Sequence, residues 1–301
     1  MKESSLFPRA FRVLRGRSQS TSEISEVQVS SFPFVSGDTF LQMAGYVFED
    51  TAVLHRYGPN QDVCFVSGPV AIRSDFLDRT KRFLDEQEPG KFTLIIHNGD
   101  QIPTETVLEQ LGGIFDRVYS VNVLSETSNV RALPIGLENA RLNNNGRLTY
   151  YLEGLEEPRS NNRPRLVMSS FHVSNNPLVR QPTADIFRAS RFGFDGHSWK
   201  RQEYRDVLKQ TCFVISPPGN GPDCHRTWEA MYHKTIPVIE TRHNLFQHVD
   251  LPILTVNSYH DFFKMPLDER LSLYHKIMSR GYPALYMDYW IELINKARNR
   301  N

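Results

Sequence analysis

Residues 212–239 constrain the fold more tightly than any other stretch. An apolar run rich in β-branched side chains covers 212–215, a Pro/Gly turn covers 217–222, a helical segment opens at Asp223, and a second apolar run covers 236–239. Strand, glycine-bearing loop, helix and strand make a βαβ unit, so at least part of the chain must form a parallel sheet. The loop meets the positive end of the helix. Backbone N–H groups converge there, and the geometry suits an anion such as phosphate.

The helix carries an ordered pattern. At about 100° per residue, Cys224, Trp228 and Met231 share one stripe, expected to face the sheet. His225, Arg226, Glu229 and His233 share another, about 150° round, expected to point away from that core. An Arg and a Glu placed i, i+3 beside a phosphate-binding turn can hold a diphosphate and a ribose diol together. The same spacing also describes an ordinary turn followed by a solvated ion pair worth a few tenths of a kcal/mol. Spacing leaves both readings open.

The segment resembles the donor-site region of exostosin-like glycosyltransferases and related GT-B sugar transferases. The matching elements are Ser216-Pro217, Gly219 and Gly221, Arg226, Trp228-Glu229-Ala230 and Ile236-Pro237-Val238-Ile239. The resemblance implies that Glu229 binds the ribose of a nucleotide-sugar donor and that Arg226 contacts its diphosphate. It also implies two Rossmann-like parallel-sheet domains facing a cleft, with a C-terminal helix crossing back to the first. One departure stands out: many relatives carry a small residue and Gly before Ile-Pro-Val, where this chain has His233-Lys234-Thr235. The match covers about 30 residues and is faint elsewhere.

A chain of 301 residues is long enough for two α/β domains of about 150 residues each. Thirty-five Lys and Arg against 34 Asp and Glu leave a formal charge of +1, so no global field recruits nucleic acid. Cys64, Cys212 and Cys224 are widely spaced and read as free thiols of a reducing compartment. No apolar run approaches the ~18 residues of a membrane span, and no signal peptide is recognisable, so the expected location is the cytoplasm. Residues 2–17 are the exception to charge balance. Lys2, Arg9, Arg12, Arg15 and Arg17 face only Glu3, with Phe7, Phe11, Val13 and Leu14 interleaved. Such a segment suits peripheral contact with an anionic membrane surface, or simply a mobile tail.

Polar and turn-rich stretches divide the chain. Residues 1–36 are expected as a basic tail and linker, 37–155 as an acceptor-side domain, 156–282 as the donor domain and 283–301 as a terminal helix. Expected strands lie at 62–67, 92–97, 117–121, 165–170, 212–215 and 236–239, with helices at 74–86, 104–111 and 199–210 between them. This alternation implies parallel sheets wound on both faces. Ligands of such sheets bind beyond the carboxyl ends of the strands. His97, Asn98 and Asp100 sit at one such end, Glu138 at another, and Asn175 with nearby Arg180 at a third.

Glycosyl transfer needs a base for the acceptor hydroxyl and positive charge for the departing diphosphate. Asp100 is the first candidate base, followed by Glu138 and His97. The donor side would use the loop N–H groups of Gly219, Asn220 and Gly221, with Asp223, His225, Arg226, Glu229, Asn175 and Arg180. No Asp-x-Asp occurs, which favours metal-independent transfer with no cofactor beyond the nucleotide-sugar co-substrate. The expected acceptor is a hydroxyl of a glycan, polysaccharide or glycolipid. A sugar-nucleotide epimerase and a catalytically inactive nucleotide-binding scaffold are the competing readings.

Overall fold

The computed structural model describes residues 31–55, 60–87, 91–100, 104–142, 145–156, 163–192, 194–195 and 199–298. The basic segment 2–17 lies outside them. Among the described residues ten strands form two sheets. In the first, β1 (Tyr46–Phe48), β3 (Val63–Ser67), β4 (Thr93–His97), β5 (Arg117–Val121) and β6 (Val130–Leu133) run parallel, and β2 (Val53–His55) closes one edge antiparallel to β1. The second contains β7 (Arg165–Met168), β8 (Thr211–Ile215), β9 (Ile236–Glu240) and β10 (Leu254–Val256), all parallel in the order β10-β9-β8-β7. The chain is therefore an α/β protein with a mixed six-stranded sheet and a parallel four-stranded one. The purely parallel first sheet expected from the sequence is corrected by the β1–β2 hairpin.

The second sheet shows why its strands read as continuous apolar runs. Alternate side chains point to opposite faces. Val167, Phe213, Ile215, Ile236 and Val238 face one cluster, covered by the helices Pro177–Ala189, Tyr259–Lys264 and Leu267–Met278. Met168 and Val214 face the other, with Leu208 and Ala230 from the helices Arg201–Lys209 and His225–Tyr232. A strand buried on both faces has no polar positions to alternate with.

In the second sheet strand order runs without reversal, whereas in the first it reverses at β1, which has β2 on one side and β3 on the other. The carboxyl ends of the two sheets meet. The largest hydrophobic cluster joins the first sheet to Trp228, Met231 and Tyr232 of the His225–Tyr232 helix and to Trp290 and Ile294 of the terminal helix Met287–Arg298. The terminal helix thus returns to the first sheet.

Residues 31–36 are part of this core, not of a tail. Ser31, Phe34, Val35 and Ser36 are fully buried. The Val35 N–H donates to the Tyr232 hydroxyl at 3.1 Å, which donates in turn to the Leu285 carbonyl at 2.6 Å. The Phe34 and Tyr232 rings meet edge-on, 4.7 Å between centroids. One phenol thus ties the start of the described chain, the βαβ helix and the C-terminal segment together.

Candidate functional site

A cleft of about 510 Å³ opens between the carboxyl ends of the two sheets. Every candidate residue named from the sequence lines it except His97: Asp100 and Glu138 from the first sheet, and Asn175, Arg180, Gly219, Asn220, Gly221, Asp223, His225, Arg226 and Glu229 from the second. Trp199, Arg201 and Tyr204 join them from the segment opening the Arg201–Lys209 helix. No motif marks the helix expected at 199–210 as part of a site, because its contribution depends on which of its faces meets the cleft.

The loop 216–224 is built to be held still. The Arg180 guanidinium is buried beneath it, donating to the Pro218 carbonyl at 2.8 Å, the Pro217 carbonyl at 3.4 Å and the His172 carbonyl at 2.8 Å. Close packing requires both glycines. A Cβ on Gly219 would lie 2.7 Å from Arg180 Nη2, and one on Gly221 would lie 2.7 Å from the Asn122 amide. The glycines therefore make room for protein groups rather than for a ligand. Three of the loop's residues are prolines, and the Gly219 N–H donates to Gly221 O at 2.9 Å. Of the N–H groups expected at 219–221, those of Asn220 and Gly221 meet no acceptor among the described residues. Further open donors follow at the helix start. The N–H groups of His225 and Arg226, at the first two helical positions, meet no acceptor among the described residues.

Asp223 is a strut, not a ligand contact. Its carboxylate accepts from the Ile135 N–H at 2.8 Å, the Cys224 N–H at 2.9 Å and the Trp228 indole N–H at 3.0 Å. Its own N–H donates to Asn122 Oδ1 at 3.2 Å. Burial raises its pKa to about 6, and the hydrogen bonds oppose that rise. His225 adds a second tie, its Nδ1–H donating to the Gly136 carbonyl at 2.8 Å. The Asn220 amide donates to Asp100 at 2.8 Å. Three residues of the second sheet thus bond across to strand ends of the first.

Two guanidinium groups flank one phenyl ring. Arg180 and Arg226 each stand 5.6 Å from the Phe171 centroid. Among the described residues neither makes an ion pair with a carboxylate, and Arg226 Nη1 is buried without a hydrogen-bond partner. Burial and the neighbouring Arg226 charge lower the pKa of Arg180 to about 10. One helical turn along, Glu229 is buried, so its pKa is raised, chiefly by desolvation and also by the Glu138 charge; His225, Tyr204 and Arg226 oppose the rise. The helical phasing expected Glu229 and His233 to point away from the core. Both are buried instead, because this helix lies between two sheets and has no solvent face there. Cys224 also departs from its expected core stripe and lines the cleft wall, while Trp228 and Met231 enter the core. Thr227 hydrogen-bonds Ser216, 2.8 Å between hydroxyl oxygens.

His97 is not a site residue. It is buried, its Nε2–H donates to the Pro134 carbonyl at 3.0 Å, and Nδ1 accepts the Asn98 N–H at 2.8 Å. Burial lowers its pKa to about 4, so it is a neutral peg joining β4 to the turn after β6. Glu138 accepts the Asn145 N–H at 2.8 Å and so fixes a loop. Asp100 is exposed at the cleft rim. Among the described residues no group of three or more His, Cys, Asp or Glu is arranged to hold a metal ion, and no helix is long and apolar enough to cross a membrane. Comparison with protein-family models and with curated protein sequences finds no match.

Proposed function

We propose that this protein is a GT-B-type glycosyltransferase that moves a sugar from a nucleotide-sugar donor to a hydroxyl of a glycan, polysaccharide or glycolipid. The observation that carries the reading is the adjacent pair of buried Arg180 and half-buried Arg226 against Phe171, without a carboxylate partner among the described residues, at the opening of a helix that bears Glu229 one turn later. Two uncompensated cations beside a helix N-terminus favour a dianion. A carboxylate about 4.5 Å further along the axis suits the diol of an attached ribose. The cleft between facing sheet ends and the returning terminal helix support the GT-B comparison.

In this reading the acceptor hydroxyl attacks the anomeric carbon, the bond from that carbon to the phosphate oxygen breaks, and the nucleoside diphosphate leaves. Charge on the departing phosphate is met by Arg226 and by the open N–H groups of His225 and Arg226. Asp100, the less constrained of the two first-sheet carboxylates, takes the acceptor proton. Arg180 and Asp223 position the loop.

The test is to mix the protein with UDP-, GDP-, ADP- and CDP-sugars and follow thermal stability, then look for acceptor-dependent release of the nucleoside diphosphate. Ligand at 100 times its Kd stabilises the native state by about 2.7 kcal/mol. A shift confined to one base family is expected. No shift with any donor would overturn the reading.

A further inference from the structure

The His225 imidazole bridges the two walls. It leaves the first turn of the His225–Tyr232 helix and ends on the turn after β6, where Nδ1 lies 2.8 Å from the Gly136 carbonyl oxygen. A carbonyl only accepts, so the neutral ring must carry its proton on Nδ1. Gly136 is itself closely held: its φ is +65°, and a Cβ there would lie 2.1 Å from the Val35 carbonyl oxygen. Backbone packing thus sets the tautomer.

The other ring nitrogen is left over. Nε2 meets no partner among the described residues, and the half-buried residue lines the cleft. In the neutral ring it offers only a lone pair, which repels an anion. Once protonated, the ring keeps its bond to Gly136 and offers a charged N–H to the cleft. The groups beside Nε2 point to the second state. The open N–H groups of His225 and Arg226 and the unpartnered Arg226 Nη1 are all donors. A ligand that satisfies them presents acceptors only, and such a ligand bonds Nε2 only as Nε2–H.

The charges around the ring admit a cation. Asp223 precedes it, Glu229 lies one turn on, and both carboxylates favour the imidazolium. Glu138, which acts on Glu229, and Asp100 line the same cleft. Arg226 and, across the cleft, His97 oppose them, but His97 is held neutral by a pKa near 4. The Cys224 thiol, pushed up by burial, adds no charge.

We propose that His225 holds the diphosphate of the donor only as the imidazolium, so that donor binding takes up a proton from solvent; this rests on the donor reading given above. The nucleotide-sugar does not bring that proton, because each of its phosphates has lost its single acidic proton well below neutral pH. The complex therefore holds more protons than the free protein, and affinity falls as pH rises.

The experiment uses calorimetry with UDP-, GDP-, ADP- and CDP-sugars between pH of about 6.5 and 8, the range of histidine titration, in two buffers of different ionisation enthalpy. Wild type, His225→Asn and His225→Gln are compared. Asn places its amide nitrogen where Nδ1 stands and has nothing at Nε2, whereas Gln offers a permanent N–H at the Nε2 position. In wild type the Kd of the donor that binds should rise on the order of tenfold across the range, with buffer-dependent heats that report proton uptake. In both variants the rise should fall below about twofold and the buffer dependence should vanish, with Gln binding more tightly than Asn. Wild-type binding without proton uptake overturns the inference and leaves the donor reading standing. If His225→Asn then lost transfer but not binding, Nε2 would belong to the acceptor hydroxyl. Uptake that persists undiminished in the variants also overturns it, placing the proton on a carboxylate. Absence of binding by every donor overturns both.

Discussion

The two walls of the cleft differ in how their polar groups are satisfied. On the first-sheet wall, Asp100 accepts the Asn220 amide, Glu138 accepts the Asn145 N–H, and the Asn145 side-chain oxygen accepts from Arg205 at 3.1 Å. On the second-sheet wall, Arg226 Nη1 is buried with no partner among the described residues, and neither Arg226 nor Glu229 has an ion pair among them. Buried polar groups in folded proteins are nearly always hydrogen-bonded, so a cluster that is not marks where something else binds. The second wall is thus the ligand-facing one. Within it, Arg180 and Asp223 belong with the first wall in character, because each is filled by protein partners that fix the loop.

The largest way to test this contrast is to remove a satisfied group. Asp223→Ala strands three N–H donors, from Ile135, Cys224 and the Trp228 indole, at a residue only 8% exposed. Each stranded buried donor costs about 1–3 kcal/mol, so the variant should lose about 3 kcal/mol or more by urea denaturation. A loss under about 1 kcal/mol would mean that Asp223 is not the strut between the sheets.

Arg226→Ala should do the reverse. It removes an unpartnered cation that also repels Arg180, so stability should be unchanged within about 0.5 kcal/mol. Losing a charge-assisted contact to a phosphate should weaken pyrophosphate or nucleotide binding by about 2–3 kcal/mol, some 30- to 150-fold by calorimetry. If the variant unfolded early and bound normally, the assignment of the two walls would be inverted.

Much of this division was legible in the sequence, and the reasons it stopped are physical. Strands β5 and β8 were readable to within a residue, because runs buried on both faces carry no competing period. The loop and its helix were readable for the same reason and from local turn chemistry. The hairpin β1–β2 was not: three-residue strands are shorter than any periodicity window. The helix Pro177–Ala189 hid behind Pro182, an interior proline that ordinarily breaks a helix. It carries Arg180, so the buried half of the arginine pair was seen only as a nearby cation. At the site, phasing named Arg226 and Glu229 but gave them a solvent face, because one helix pattern does not disclose a second sheet packed on its far side. His97 failed for the opposite reason. A strand-end histidine looks reactive until its two nitrogens are traced to Pro134 and Asn98. Tyr204 had no pattern to announce it at all.

The smallest effect expected concerns His233, which lies on the same helix face as Glu229 but lines no cleft. It is buried, stacked on Tyr151 with ring centroids 5.0 Å apart, and neither ring nitrogen has a partner among the described residues. Burial, then the charges of Lys209, Arg205 and Arg163, lower its pKa to about 3. It therefore resembles the unsatisfied groups of the second wall without their access to a ligand. His233→Phe keeps the ring stacking and removes the unmatched nitrogens, so it should stabilise the protein by about 1 kcal/mol. The pH dependence supplies an independent check. A histidine held neutral in the folded state gains its proton on unfolding below pH about 6.5. Its contribution is present above that pH and is lost as pH falls towards 3. His97, held near 4, adds a similar slope over 6.5 to 4. Asp223 opposes them: its raised carboxyl favours the folded state at low pH, and that advantage is lost as pH rises from about 4 to 6. His233→Phe should flatten the acid limb of stability between pH 6.5 and 4 while leaving nucleotide affinity unchanged. A variant that lost nucleotide affinity would make His233 part of the ligand-facing wall and move the boundary drawn here.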